Sequence, residues 1–99
     1  MKTPDEFSDI CGQFHADIHL HCQSIDEMVR FSLNLVDQER ARVAHAFLDA
    51  LLSGRYSEDE LQEIWQQTPA DIYFPKPEEL LAVLTTMRTM LAEKLGPTE

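Results

Sequence analysis

Imidazole and thiol side chains crowd into one stretch near the N-terminus. Cys11, His15, His19 and Cys22 follow one another at steps of four, four and three residues, which would place them along one stripe of a helix. Two ligands one turn apart can share a metal ion. Four ligands spread over three turns cannot all reach one tetrahedral centre, so the spacing excludes a four-ligand site on this stripe.

A smaller metal site would have to use part of this stretch and recruit further ligands from elsewhere. Its candidates are His15 and His19 on a helix, with Asp17 or His21 contributing if the segment is extended. Histidines at such positions are more often surface or half-buried side chains than ligands. We therefore expect no metal and no cofactor, and metal binding by this cluster stays the alternative.

Catalytic groups are not recognisable in the chain. Cys22 and His21 are neighbours in sequence only, and no Ser-His-Asp or Cys-His arrangement stands out. The paired carboxylates Asp59-Glu60 and Glu78-Glu79 are typical of the first turn of a helix, where they complement its dipole. The sequence predicts a protein that is not an enzyme.

The charge of the chain favours basic partners. Its formal net charge is −10 over 99 residues, and residues 1–36 and 54–75 each carry −4 of it. Such a field repels phosphate backbones and attracts basic protein surfaces. We therefore expect a basic protein partner and no direct binding to nucleic acid.

The stretch from Leu61 to Pro75 is where we expect the binding surface. It holds the chain's one Trp, an acidic segment and an adjacent aromatic pair. Trp65 and Phe74 are predicted to be core residues, which leaves Tyr73 exposed among acids, the composition of a binding hot spot with a charged rim. The predicted partner-binding residues are Glu58, Asp59, Glu63, Asp71 and Tyr73. The alternative is a solvated acidic face with no partner.

Capping residues and apolar periodicity predict the helices that position these residues. Ser24 with Glu27 starts a helix over about 25–35, and Asp37 caps a longer one before Gly54. A capping box at Ser57 precedes a short helix that ends at Thr68-Pro69, and Pro77 begins the last helix. The expected fold is all-α, a small bundle of four or five helices.

The N-terminal part is harder to interpret. Thr3 is predicted to cap a first turn with Pro4 at its first helical position and Glu6 completing a capping box, so that Phe7 and Ile10 face the core before Gly12. Residues 13–22 match both helical and strand spacing. We expect one domain over residues 1–99, with 1–23 as a lead-in segment and 24–95 as the core of the helical bundle.

The cysteine content and the N-terminal residues indicate the cellular compartment. Two cysteines are too few for a disulfide scaffold, and the N-terminus has acids where a signal peptide would be apolar. No apolar stretch approaches the ~18 residues that would span a bilayer. The expectation is a reduced, cytoplasmic protein without membrane contact.

Several segments carry a family resemblance. The run FLDALLSGRYSEDELQEIW, then ADIYF, then LTTMR in the last helix resemble the small immunity proteins of bacterial contact-dependent growth inhibition systems. The segment Phe14-His15-Ala16-Asp17 is similar to a Phe-His-x-Asp segment of that family. The match spans roughly residues 14–95, and its motifs are mostly helix-forming.

The resemblance implies an immunity protein that binds and neutralises a cognate toxin domain, often a nuclease, in the cytoplasm of the producing cell. It implies no enzymatic activity and no cofactor. A helical adaptor that dimerises through an exposed apolar stripe is a further alternative to toxin binding, and the oligomeric state is left open.

Overall fold

Helices are the only regular structure in the described part of the chain. The computed structural model describes residues 3–14, 24–34, 36–70, 74 and 76–96, and these contain no strand. Five helices follow in order: α1 (Asp5–Cys11), α2 (Ile25–Ser32), α3 (Gln38–Leu51), α4 (Glu58–Gln66) and α5 (Pro77–Leu95). The predicted all-α bundle of four or five helices is confirmed. The ambiguous stretch at 13–22 lies outside the described residues from 15 onward.

The C-terminal helix α5 is the centre of the bundle. It starts with Pro77 at its first position, as predicted, and contacts α2, α3 and α4, most extensively α3. The two long helices run antiparallel, because the Gln38 side chain donates a 2.8 Å hydrogen bond to the Lys94 carbonyl while Asp49 lies 3.5 Å from Arg88. The buried stripe of α5 consists of Leu80, Val83, Leu84, Met87 and Leu91.

Side-chain caps fix where α2 and α3 begin. The Ser24 hydroxyl accepts a hydrogen bond from the Glu27 amide at 3.2 Å, and the Asp37 carboxylate accepts one from the Arg40 amide at 2.8 Å. Both predicted caps are confirmed. Helix α2 ends at Ser32, a few residues earlier than predicted, where the Ser32 hydroxyl bonds the Val29 carbonyl at 2.7 Å.

The predicted cap of the first helix is wrong. Helix α1 begins at Asp5 with Pro4 as its N-cap, and no side chain caps it. Pro4 has an extended backbone, with φ −70° and ψ 151°, so it lies outside the helix and only its carbonyl joins the first turn. Phe7 and Ile10 are buried as predicted, and the Phe7 ring centroid lies 4.9 Å from that of Phe47, which docks α1 on α3.

One hydrophobic cluster receives side chains from all five helices. Its largest fully buried members include Trp65, Phe7 and Phe14. Turns around this cluster use glycine where the backbone requires it, since Gly54 after α3 and Gly96 after α5 have φ of +95° and +80°. Within the described ranges, no helix combines the length and apolar character needed to cross a bilayer.

Candidate functional site

Helix α4 carries the acidic side chains that the sequence singled out. Its first turn is held by a complete capping box: the Ser57 hydroxyl accepts from the Glu60 amide at 3.2 Å, and the Glu60 carboxylate accepts from the Ser57 amide at 3.0 Å. Leu61 and Trp65 are buried on one side, and Ile64 packs against the core. The cap and this apolar side together set which side of α4 meets solvent.

Glu58, Asp59 and Glu63 are all exposed, as predicted, and we call these three residues the α4 acidic face. Asp59 and Glu63 lie opposite the buried Leu61 and Trp65, whereas Glu58 is exposed at the start of the helix. Elsewhere in the described chain, Asp9 pairs with Arg40 and Asp49 pairs with Arg88. No ion pair to a described residue engages the α4 acidic face. Its charge is therefore not neutralised by the rest of the described fold.

The position of Glu63 is unfavourable for the helix itself. Glu63 lies in the last turn of α4, where the helix dipole disfavours a negative charge, and it follows Asp59 by four residues, a spacing at which like charges repel. Glu58 and Asp59, by contrast, lie in the first turn, where the dipole favours acids. The stability of α4 therefore accounts for acids at positions 58 and 59, but it does not account for an acid at position 63.

The chain that leaves α4 is anchored on its inner side. The Thr68 hydroxyl donates a 2.6 Å hydrogen bond to the Trp65 carbonyl and accepts one from the Ala70 amide at 3.4 Å. Thr68 and Ala70 are both buried. The predicted end of the helix at Thr68-Pro69 is confirmed, and Ala70 is fixed against the core.

Phe74 is the next anchored position. The Gln62 side chain donates a 2.6 Å hydrogen bond to the Phe74 carbonyl, and the Phe74 ring lies 5.6 Å from the Trp65 ring, centroid to centroid. Trp65 also meets Phe14 edge-on at 5.3 Å. The predictions that Trp65 and Phe74 are core residues are confirmed.

The residues between these anchors complete the predicted binding set. Asp71 and Tyr73 lie outside the described residues, so their part of the prediction stays untested. Ala70 and Phe74, on either side of residues 71–73, are both buried and bonded to α4 or its C-terminal turn. Helix α4 therefore carries the acidic face and holds the chain on both sides of this segment.

The histidine and cysteine cluster is represented by one described residue. His15, Asp17, His19, His21 and Cys22 all lie outside the described residues, and no metal-binding group of three side chains occurs in the remainder. Cys11 is fully buried, and that burial raises the pKa of its thiol well above the usual range, with the Thr68 side chain lowering it in part. A buried neutral thiol is a poor metal ligand. The Cys11 end of the predicted stripe is thus a core position.

Sequence patterns did not indicate two contacts that shape this region. Gln62 belongs to no recognisable sequence motif. Its side chain nevertheless bonds the carbonyl of Phe74, twelve residues later in the chain. The turn at Thr68-Pro69 was recognised only as a helix end, yet it packs against the end of α1. There, a Cβ atom at Gly12 would lie 3.5 Å from the Pro69 ring.

Comparison of the chain with protein-family models, with curated proteins and with solved structures finds no match. The resemblance to contact-dependent growth inhibition immunity proteins therefore stays a prediction that depends on the sequence segments quoted above.

Proposed function

We propose that this protein is an immunity protein that binds a cognate bacterial toxin domain through the α4 acidic face and thereby neutralises it. The observation that supports this most directly is Glu63. It is an exposed carboxylate in the last turn of α4, with a like charge four residues before it and no ion-pair partner among the described residues. A basic external surface would compensate all of these unfavourable terms at once.

The charge of the whole chain suits a toxin that acts on nucleic acid. A nuclease domain must present a basic surface to its substrate, and a protein of net charge −10 complements that surface. Covering the substrate surface would block the toxin without any chemistry by the immunity protein. The same charge disfavours direct binding of this protein to DNA or RNA.

Charge alone gives fast association rather than high affinity, so an aromatic anchor belongs to the proposal. Tyr73 is that anchor, with Asp71 beside it. Its neighbour Phe74 is buried against Trp65, and the Phe74 carbonyl is bonded to Gln62. A segment attached at both flanks to the acidic helix would lose less conformational freedom on binding than a free loop.

The proposal places the protein in the cytoplasm of the cell that makes the toxin. Cys11 suits a reducing compartment, because it is a buried free thiol in the core.

Cell protection tests the proposal. The product of the reading frame next to this gene, as the candidate toxin, is expressed in cells with and without the protein, and survival is counted. Wild-type protein should protect, and the purified pair should form a stable complex. Glu63→Lys should protect less, whereas Glu78→Lys, a charge reversal of an exposed acid on α5, should protect as wild type does. Absence of a complex and of protection would contradict the proposal.

A further inference from the structure

A groove of about 300 Å³ lies where α1, α2 and α3 meet. We call it the three-helix groove. Its accessible apolar lining comes from the exposed Phe31 and the partly buried Val36, with the buried Ile10, which is 1% exposed, beneath them. Glu6 and Asp9 from α1 and Arg40 from α3 line its rim. No residue of α4 contributes, so this groove is separate from the α4 acidic face.

Phe31 is an unusual residue to find at this edge. It is 41% exposed, and among the described residues it shares the class of exposed large hydrophobic side chains only with Leu81. Met28 and Val29 already supply the contribution of α2 to the core, so folding does not require an aromatic ring at position 31. An exposed aromatic side chain beside an apolar groove is typical of binding hot spots.

The rim of the groove is acidic. Glu6 and Asp9 are three residues apart on α1 and both line the groove. Arg40 lies 3.8 Å from Asp9, which leaves the Glu6 carboxylate without an ion-pair partner in the described chain. The Ser32 hydroxyl already donates its hydrogen bond to the Val29 carbonyl. Apolar surface is therefore available at Phe31 and Val36, and a cation is favoured near Glu6.

We propose that the three-helix groove binds a segment of a protein partner in which an aromatic or aliphatic side chain stands next to lysine or arginine. The apolar side chain would pack against Phe31 and Val36, and the cation would reach Glu6. A second copy of this chain is a poor occupant, because two molecules of charge −10 repel each other. This inference goes beyond toxin neutralisation and does not depend on it.

A short peptide tests the groove without any toxin. Isotope-labelled protein is titrated with acetyl-Lys-Phe-Leu-Lys-amide up to about 5 mM, a range that detects millimolar binding, and amide chemical shifts are recorded. The shifts should change at the residues that line the groove. Phe31→Ala should lower the affinity about fivefold, because an aromatic contact is lost. Leu81→Ala, a matched control with the same 41% exposure on α5, should leave the affinity unchanged.

The charge part of the inference has its own controls. Glu6→Gln should weaken binding of the basic peptide, whereas Glu78→Gln, also a first-turn glutamate, should not. The peptide acetyl-Glu-Phe-Leu-Glu-amide should bind more weakly than the basic one. Absence of shifts, shifts confined to α4, equal effects of Phe31→Ala and Leu81→Ala, or self-association that Phe31→Ala abolishes would each overturn the inference. These experiments use no toxin, so a failure of the groove inference can be told apart from a failure of the proposed toxin binding.

Discussion

The side-chain amide of Gln62 donates a 2.6 Å hydrogen bond to the main-chain carbonyl of Phe74, twelve residues later in the chain. This bond joins the middle of α4 to the segment that precedes α5. Together with the 5.6 Å contact between the Trp65 and Phe74 rings, it fixes the chain immediately after Tyr73 to the helix that presents the α4 acidic face. Phe74, the described residue next to the proposed anchor Tyr73, is thus held by the helix that carries the α4 acidic face.

Gln62→Ala should weaken toxin binding while leaving the fold intact. Loss of one neutral hydrogen bond at a part-buried site lowers the free energy of unfolding by about 1 kcal/mol. Phe74, which follows the proposed anchor Tyr73, is then less well fixed, so binding should suffer more than stability does. Urea denaturation and calorimetric titration measure the two effects. Gln66→Ala, an exposed glutamine on the same helix, is the control, and equal binding by both variants would argue against a positioning role for Gln62.

Glu63→Lys should make the isolated protein more stable. The change replaces repulsion from Asp59 by an attraction with the favourable acid-before-base order, and it puts a positive charge in the last turn of α4, which has no basic residue. We expect a gain of about 0.5 kcal/mol in the free energy of unfolding. Thermal or urea denaturation checks the value at low salt. A loss of stability would mean that Glu63 has a structural role, and it would remove the main support for the proposed surface.

Because of Cys11, the free energy of unfolding should decrease as the pH rises into the alkaline range. Burial raises the pKa of its thiol, so the folded protein keeps the thiol neutral where the unfolded chain ionises it. The folded state then binds more protons, and stability is present below the ordinary thiol pKa and lost as pH rises above it. Relative to Cys11→Ala, the wild type should lose about 1.4 kcal/mol per pH unit above roughly pH 9. Reduced protein denatured in urea from about pH 7 to about pH 10 provides the comparison, and parallel curves for the two chains would contradict it.

Tyr73→Ala should weaken toxin binding and leave the fold stable, whereas truncation of a core residue would destabilise the fold. Truncating the proposed anchor Tyr73 should cost about 2 kcal/mol or more of binding free energy, with little change in the free energy of unfolding. Tyr73→Phe is the matched control, since it keeps the ring and removes only the hydroxyl. The binding constant comes from calorimetry with the toxin domain, and the melting temperature from circular dichroism. A collapsed fold in Tyr73→Ala would assign this residue to the core instead.

Most of the bundle follows from local sequence signals. Ser24, Asp37, Ser57 and Pro77 all mark helix starts because each acts through atoms within one turn, either by accepting from a nearby amide or by fixing φ. The burial of Trp65 and Phe74 could also be predicted, since a small bundle has few places for a large aromatic side chain other than its core. Local chemistry was misleading at Thr3, where Pro4 has an extended backbone that puts it before the helix.

Contacts between distant residues could not be predicted in the same way. The groove at Phe31 exists because α1, α2 and α3 converge, and no local pattern in any of these helices encodes that convergence. The bond from Gln62 to Phe74 and the packing of Cys11 near Thr68 likewise depend on how helices dock. The acidic surface was predictable at Asp59 and Glu63 because helical periodicity places them opposite Leu61 and Trp65, and at Glu58 because the first turn of a helix favours an exposed acid.

The association rate between this protein and its cognate toxin domain, measured by stopped flow across a range of ionic strength, tests the central claim most directly. If the α4 acidic face steers the complex, the wild-type rate should fall steeply as salt rises, and the triple variant Glu58→Gln, Asp59→Asn, Glu63→Gln should associate more slowly with a shallower salt dependence. Absence of binding, or equal rates and equal salt dependence for the two proteins, would contradict the claim.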